Sequence, residues 1–246
     1  MNALLRQTLS PSRRVCGSLN VRVMGEACVL RCSGALWLPA HRTLIAADLH
    51  LEKGSAYAAR GQMLPPYDSR ATLAKLRAEI EALNPDTVVL LGDSFHDRRS
   101  LARLAPADRV EIDDLASGRA WVWLTGNHDH DALAPDGVGE SRLPGRVEDR
   151  LAIGSLRLVH EPEIGDRPGE VAGHLHPCVT VVAHHRGVRR ACFVTDGRRI
   201  VLPAFGAFTG GLDVRHPAFS GLFTEQPLLA ALGRDRVHAL GWSAAA

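Results

Sequence analysis

Four short apolar runs in this chain each end on a cluster of carboxylate, imidazole or amide side chains, and this repetition constrains the fold more than any other feature. Thr43 to Ala47 leads into Asp48-Leu49-His50, and Thr87 to Leu91 into Gly92-Asp93. Trp121 to Leu124 precedes Gly126-Asn127-His128-Asp129, and Leu156 to Val159 ends at His160. A fifth cluster, Gly173-His174-Leu175-His176, follows. Uninterrupted apolar runs of this length predict strands buried on both faces, as in sheets covered by helices. Such α/β sheets collect their sites at the carboxyl ends of their strands.

The clusters hold the ligand types of a pair of divalent metals: Asp48, His50, Asp93, Asn127, His160, His174 and His176. Aspartate is a hard anion that can bridge two cations, the amide oxygen of asparagine is a hard neutral donor, and imidazole suits Mn, Fe and Zn. No cysteine belongs to the set, which argues against a structural thiolate zinc site. Manganese is the expected metal, with iron or zinc as alternatives. With only two carboxylates the loaded site is cationic, which suits an anionic phosphate ester. Asp48 with His50, and His174 with His176, are expected to present to one side of an extended chain, where side chains repeat every two residues.

The remaining sequence fills in an α/β architecture. Ala27 to Arg31 and Ala35 to Leu38 predict strands, as does Val179 to His184. Pro65 to Leu83 predicts a helix, because Leu73, Leu76, Ile80 and Leu83 recur at helical spacing and Pro85 lies just beyond. A second helix is predicted over Pro106 to Ala116, and a short helical run around Leu228 to Leu232. Gly154-Ser155 and Asp196-Gly197 each predict a hairpin turn. Ala134 to Gly145 reads as a surface loop. Residues 1–20 are expected to form a flexible leader and 21–246 a single domain.

The ordered blocks DxH, GD, GNHD, H and GHxH, from Thr43 to Pro177, resemble the calcineurin-like metallophosphoesterases. The blocks from Ala47 to Gly54, from Gly92 to Asp97 and from Leu202 to Leu212 resemble the bacterial ligase-associated DNA damage response endonuclease subfamily. The resemblance implies a four-layer αββα sandwich, two packed mixed sheets flanked by helices. It implies one metal on Asp48, His50, Asp93 and His176, and a second on Asp93, Asn127, His160 and His174, with Asp93 bridging. It further implies that water activated between the ions attacks phosphorus, that His128 assists the leaving oxygen, and that Asp129 orients His128. His96 completes a Gly-Asp-x-Phe-His block that also resembles DNA double-strand-break repair nucleases, so it is expected to work with His128 on a phosphodiester. The subfamily implies a DNA substrate, with a ligase, helicase or second nuclease as partner.

Several residues keep bland readings. His184, His185 and His216 are read as surface residues, and His41 and His130 lie near the motifs but off their pattern. Lys53 is either a phosphate contact or an exposed lysine, and Glu161 either a partner to a ligand or solvated. The arginines 186, 189, 190, 198 and 199 read as a solvated rim, with phosphate contact as the alternative. A net charge of +2 excludes a strongly basic DNA-binding surface, and 5% aromatic residues reveal no stacking platform. These features leave room for a phosphodiesterase of small or cyclic nucleotides. A non-catalytic scaffold would be expected to have lost ligands, and none is lost. Five cysteines without a CxxC pair read as free thiols of a reducing, cytoplasmic compartment. No apolar run approaches the roughly 20 residues of a membrane span, and no membrane partner is expected.

Overall fold

The computed structural model describes residues 17–62, 67–129, 133, 143–183 and 186–244. Among the described residues, fifteen strands form two packed mixed sheets. The first contains β1 (Leu19–Val23), β2 (Glu26–Leu30), β3 (Leu36–Leu38), β4 (Thr43–Ala46), β5 (Thr87–Leu91), β6 (Ala120–Leu124) and β7 (Arg146–Glu148), paired in that order. Neighbours are antiparallel up to β4 and parallel from β4 to β7. β1 starts at Leu19, within the segment expected as leader; residues 1–16 lie outside the described residues.

The second sheet has the order β15-β14-β12-β13-β10-β9-β8. Its strands are β8 (Leu151–Ile153), β9 (Leu156–Leu158), β10 (Glu170–Ala172), β12 (Arg186–Thr195), β13 (Ile200–Val201), β14 (Leu228–Leu232) and β15 (Val237–Gly241). β11 (Cys178–Ala183) pairs with the first half of β12, off the main path. Both hairpins form: β8 pairs antiparallel with β9, and β12 with β13.

The apolar runs are continuous because each strand is covered twice. Leu44 and Ala46, Val88 and Leu90, and Trp121 and Trp123 face the helices. Their neighbours Ile45, Val89, Leu91, Val122 and Leu124 face the second sheet, where they meet Leu156, Leu158, Val171, Phe193 and Ile200. Each fully buried side chain of this kind contributes about 2 kcal/mol of transfer free energy.

Helices α1 (Lys53–Ala58), α2 (Asp68–Leu83), α3 (Ser100–Arg103) and α4 (Pro106–Ala116) belong to the first sheet's side. In α2, Leu73, Leu76 and Ile80 are buried, and the helix stops at Asn84, left-handed at φ 43°, whose N–H bonds to Ile80 O. The outer face of the second sheet is closed by Val214, Phe219, Leu222 and Phe223 from the segment after β13, with a 3-10 turn at Pro217–Phe219.

Two sequence expectations fail here. Leu228–Leu232 is strand β14, hydrogen-bonded on both edges to β12 and β15, and not a helix. A five-residue apolar run carries no period that separates the two states, so pairing decides. Arg199 is not on a solvated rim: its side chain is 2% exposed and pairs with Glu170. Residues 134–142 of the expected surface loop, with His130, His184 and His185, lie outside the described residues.

Candidate metal centre

The expected ligands converge where β4, β5, β6 and β9 end. Asp48 N bonds to Gly92 O at 3.1 Å and His50 N to Asp93 O at 2.9 Å, so the first two clusters run side by side. Asp48, His50, Asp93, His174 and His176 are all left-handed, with φ between 45° and 66°. For residues with a Cβ this costs about 1 kcal/mol or more each. The DxH and HxH side chains are therefore placed by left-handed turns, and not by strand alternation as expected. Two glycines allow the close approach: a Cβ on Gly92 would fall on the His160 ring, and one on Gly126 on the backbone N and Oδ1 of Asp93.

The side chains form two groups whose ligand atoms lie within 4.8 Å of one another: Asp48, His50 and His176, and Asp93, His160 and His174. In the first, His176 Nε2 is 3.3 Å from both Asp48 Oδ1 and His50 Nε2. In the second, His160 Nε2 is 3.0 Å from Asn127 Oδ1, 3.2 Å from His174 Nδ1 and 3.4 Å from Asp93 Oδ1. Asp93 faces both groups, since its Oδ2 is 3.9 Å from His50 Nε2.

The donor set fits divalent cations. His160 Nδ1 lies 3.0 Å from Leu91 O and donates to it, so Nε2 faces Asn127 Oδ1 and Asp93 Oδ1, two acceptors that converge on it and that a proton or a cation must satisfy. A cation relieves that convergence, and the backbone partner fixes the ring as such partners do in metal sites. His176 Nδ1 is likewise 3.2 Å from Gly210 O, in the block from Leu202 to Leu212. Burial, reinforced by His176, pulls His50 down to about 3, and burial with His160 also lowers His174. Both are neutral imidazoles at neutral pH.

His160 behaves oppositely. Burial pulls its pKa down, but its hydrogen bond to Asp93 and the charges of Asp48 and Asp93 outweigh this and push it up to about 9. Asp93, raised by burial, is carried down to about 2 by its hydrogen bond to His160, the charge of His160 and the backbone N–H of His128. Without metal, His160 is protonated below about 9, whereas a ligand imidazole must be neutral. Metal binding is thus expected to release about one proton at neutral pH, and its affinity to weaken as pH falls, by up to about tenfold per unit. Titration calorimetry in buffers of different ionisation enthalpy checks this; proton uptake on binding would contradict it.

His128 lies at the open side, 43% exposed, with Nε2 3.9 Å from Asp93 Oδ2. Its backbone N–H donates to Asp93 Oδ1 at 2.9 Å. The His96 ring stacks on His128 at 6.1 Å between centroids and 10° between planes. Burial, then the charge of Lys53, lowers the pKa of His96. Asp129 does not hold the His128 ring as expected. Its carboxylate accepts from the backbone N–H groups of Ser94, Phe95 and Gly126 at 3.1, 3.0 and 3.2 Å. It thus fixes His128 through the backbone, by locking the loop after β5 to the loop after β6.

Other histidines have local roles: His41 pairs with Glu26, and His216 Nδ1 accepts from Ala218 N. Glu161 Oε1 lies 3.8 Å from His174 Nε2. The roles of Leu91 O and Gly210 O were invisible in the sequence, because any residue supplies a carbonyl; only the glycine density after Phe205 hinted at the second. No disulfide forms among the described residues: Cys28, Cys178 and Cys192 are buried thiols, and the half-buried Cys32 directs its Sγ to Gly17 O at 3.6 Å.

This fold and centre define a two-metal hydrolase of phosphate esters. The model of the calcineurin-like phosphoesterase family matches residues 41–204, and the chain belongs to that family. It is accordingly a metal-dependent phosphoesterase, of a family that uses two divalent metals. Among solved structures, the Pseudomonas putida nuclease MPE is 32% identical, with a TM-score of 0.67, covering 91% of this chain and all of that one. The Escherichia coli phosphoesterase Yfce is 13% identical with a TM-score of 0.39, covering 81% of this chain and 98% of that one. A search of curated proteins finds no match. No helix among the described residues is long and apolar enough to cross a membrane.

Proposed function

We propose that the chain is a manganese-dependent phosphodiesterase acting on DNA, a nuclease of DNA repair. The observation that carries this reading is the His96–His128 stack at the open side of the centre, 6.1 Å between rings. Two imidazoles there serve the two ester oxygens of a diester better than one. The likeness to a nuclease over nearly the whole chain supports it. The subfamily resemblance supports a repair setting shared with a ligase, a helicase or a second nuclease.

In this reading Asp48, His50, Asp93 and His176 would hold one divalent ion and Asp93, Asn127, His160 and His174 the other. Bound there, the ions would supply the Lewis acidity that activates water and neutralises phosphoryl oxygens. His128, exposed beside Asp93, hands a proton from its ring to the leaving oxygen. His96, buried enough to stay neutral, offers a hydrogen bond to the phosphate without adding charge. Asp129 keeps the loop bearing His128 at its distance from Asp93. The low net charge of +2 favours one rival reading, a phosphodiesterase of small or cyclic nucleotides.

The test is manganese-dependent hydrolysis of bis-p-nitrophenyl phosphate, p-nitrophenyl phosphate and labelled single- and double-stranded DNA. The small diester and DNA are both expected to be cleaved. His128→Ala is expected to keep its metal and lose about 10²–10⁴-fold in turnover. Hydrolysis of the small diester without DNA cleavage would favour the rival, and metal loss in the variant would remove the role assigned to His128.

A further inference from the structure

One segment spans the first ligand group without supplying a ligand. After β13 the chain meets Ala47 in a parallel bridge at Ala204 and then touches both sequence blocks of that group. Phe205 N bonds to Ala47 O at 2.8 Å and Gly206 N to Asp48 O at 3.1 Å, while Gly210 O accepts from His176 Nδ1 at 3.2 Å. A Cβ on Gly206 would fall on Leu49 O, and one on Gly211 on His176 O and Cys178 Sγ. Residues 205–211 therefore form a strap, seated on Asp48 and Leu49 at one end and on His176 at the other.

The strap needs support from outside. Its far end is Gly210-Gly211, the residue type with the most backbone freedom to lose, and a Cβ on Gly210 would touch nothing. Two cations on other elements hold it. Lys75 of α2 donates to Phe205 O at 2.6 Å, with Nζ 4.0 Å from the centre of the Phe205 ring, and Arg189 of β12 donates to Gly211 O. Thr72, also on α2, accepts from Ala207 N at 3.0 Å, and Thr209 Oγ1 donates to Gly206 O at 2.8 Å. Burial, against the charge of Glu79, pulls the Lys75 ammonium down to about 8. Placing it there carries a desolvation cost, which the carbonyl and the ring of Phe205 offset.

We infer that Lys75 and Arg189 are positioning residues for one ion only: they fix the strap, and the strap's Gly210 carbonyl sets the His176 ring that would hold that ion with Asp48 and His50. The inference rests on the proposed ligand assignment. With Nδ1 donating to Gly210 O, the ring's ligand atom is Nε2, which lies 3.3 Å from both Asp48 Oδ1 and His50 Nε2. A carbonyl partner of this kind fixes the tautomer and orientation of a ligand histidine and raises its basicity. A strap released at either cation leaves that carbonyl on an unsupported glycine pair. The second ligand group is oriented separately, by Leu91 O on His160 and by Asp129 on the loops after β5 and β6.

The test titrates manganese into wild type, Lys75→Met, Arg189→Met and Arg189→Lys, counting bound ions from the paramagnetic resonance signal of the free ion. Wild type is expected to bind two ions per chain. Lys75→Met and Arg189→Met are each expected to keep one ion at wild-type affinity and to bind the other about tenfold more weakly or worse. Arg189→Lys, which keeps a cationic donor, is expected to restore the second ion. Added to Asp48→Ala, which removes the same ion, Arg189→Met is expected to change nothing further. Arg189 is exposed, so its variants test the strap whether or not Lys75→Met folds. Wild type with two ions and an Arg189→Met protein that matches it overturns this inference alone. The same follows if Arg189→Met weakens both ions alike, or adds to the loss in Asp48→Ala. Wild type that takes up no second manganese overturns the proposed ligand assignment together with the inference.

Discussion

Asp93→Ala is expected to strip both metal ions from the protein, whereas Asp48→Ala is expected to strip about one. The difference follows from where the two carboxylates stand. Asp93 Oδ1 lies 3.4 Å from His160 Nε2 in one ligand group, and Oδ2 lies 3.9 Å from His50 Nε2 in the other. Asp48 belongs to the first group, with Oδ1 3.3 Å from His176 Nε2, and its oxygens also accept from His174 N at 3.2 and 3.0 Å. Removing Asp93 also removes the acceptor that holds His128 N. Losing the ions forfeits several kcal/mol of transition-state stabilisation, so turnover is expected to fall at least about a thousandfold at 1.36 kcal/mol per decade. Asp93→Asn, which keeps the volume and removes the anion, separates metal loss from misfolding. Elemental analysis with circular dichroism reads the result. A folded Asp93→Ala protein keeping one ion at full occupancy would rule out a bridging Asp93.

The second large effect concerns stability. Glu170 and Arg199 are 1% and 2% exposed. Glu170 Oε2 accepts from Arg157 at 2.7 Å, and Oε1 lies 3.3 Å from Arg199 NH1. Arg199 also donates to Glu163 O at 2.9 Å and Gly165 O at 2.7 Å. Burial raises the Glu170 pKa against the pull of the two arginines, which marks the desolvation cost of the arrangement. Glu170→Ala leaves a guanidinium buried without its counter-charge and is expected to cost about 3–5 kcal/mol, or roughly 10 °C in Tm for a chain of this size. The double change Glu170→Leu/Arg199→Met is expected to recover most of that, because the charges then vanish together. Urea denaturation measures both. A single variant within about 0.5 kcal/mol of wild type, the range of ordinary surface changes, would mean that the pair is solvated. Since β10 runs directly into Gly173-His174, the single change is also expected to loosen the second ligand group.

Much of the molecule is determined by the sequence alone. The runs at Thr43, Thr87 and Ala120 become β4, β5 and β6 because unbroken apolar segments are stable only when covered on both faces. The period of Leu73, Leu76 and Ile80, stopped by Asn84 and Pro85, makes α2 a helix in any compact arrangement. The ligand types and their order at strand ends specify a two-metal chemistry before any coordinate is known. Tertiary structure decided the rest, because it depends on contacts between segments remote in sequence. Leu228–Leu232 became a strand because β12 and β15 offered it two hydrogen-bonding edges. Arg199 went inside because Glu170 and two loop carbonyls were waiting there, information absent from its own neighbourhood. Asp129 chose backbone N–H groups over the His128 ring because the loop after β5 packs against it. The left-handed turns that aim Asp48, His50, His174 and His176 are held by backbone hydrogen bonds between separate loops. No local pattern predicts such turns, because residues with a Cβ avoid that conformation unless the surrounding fold imposes it.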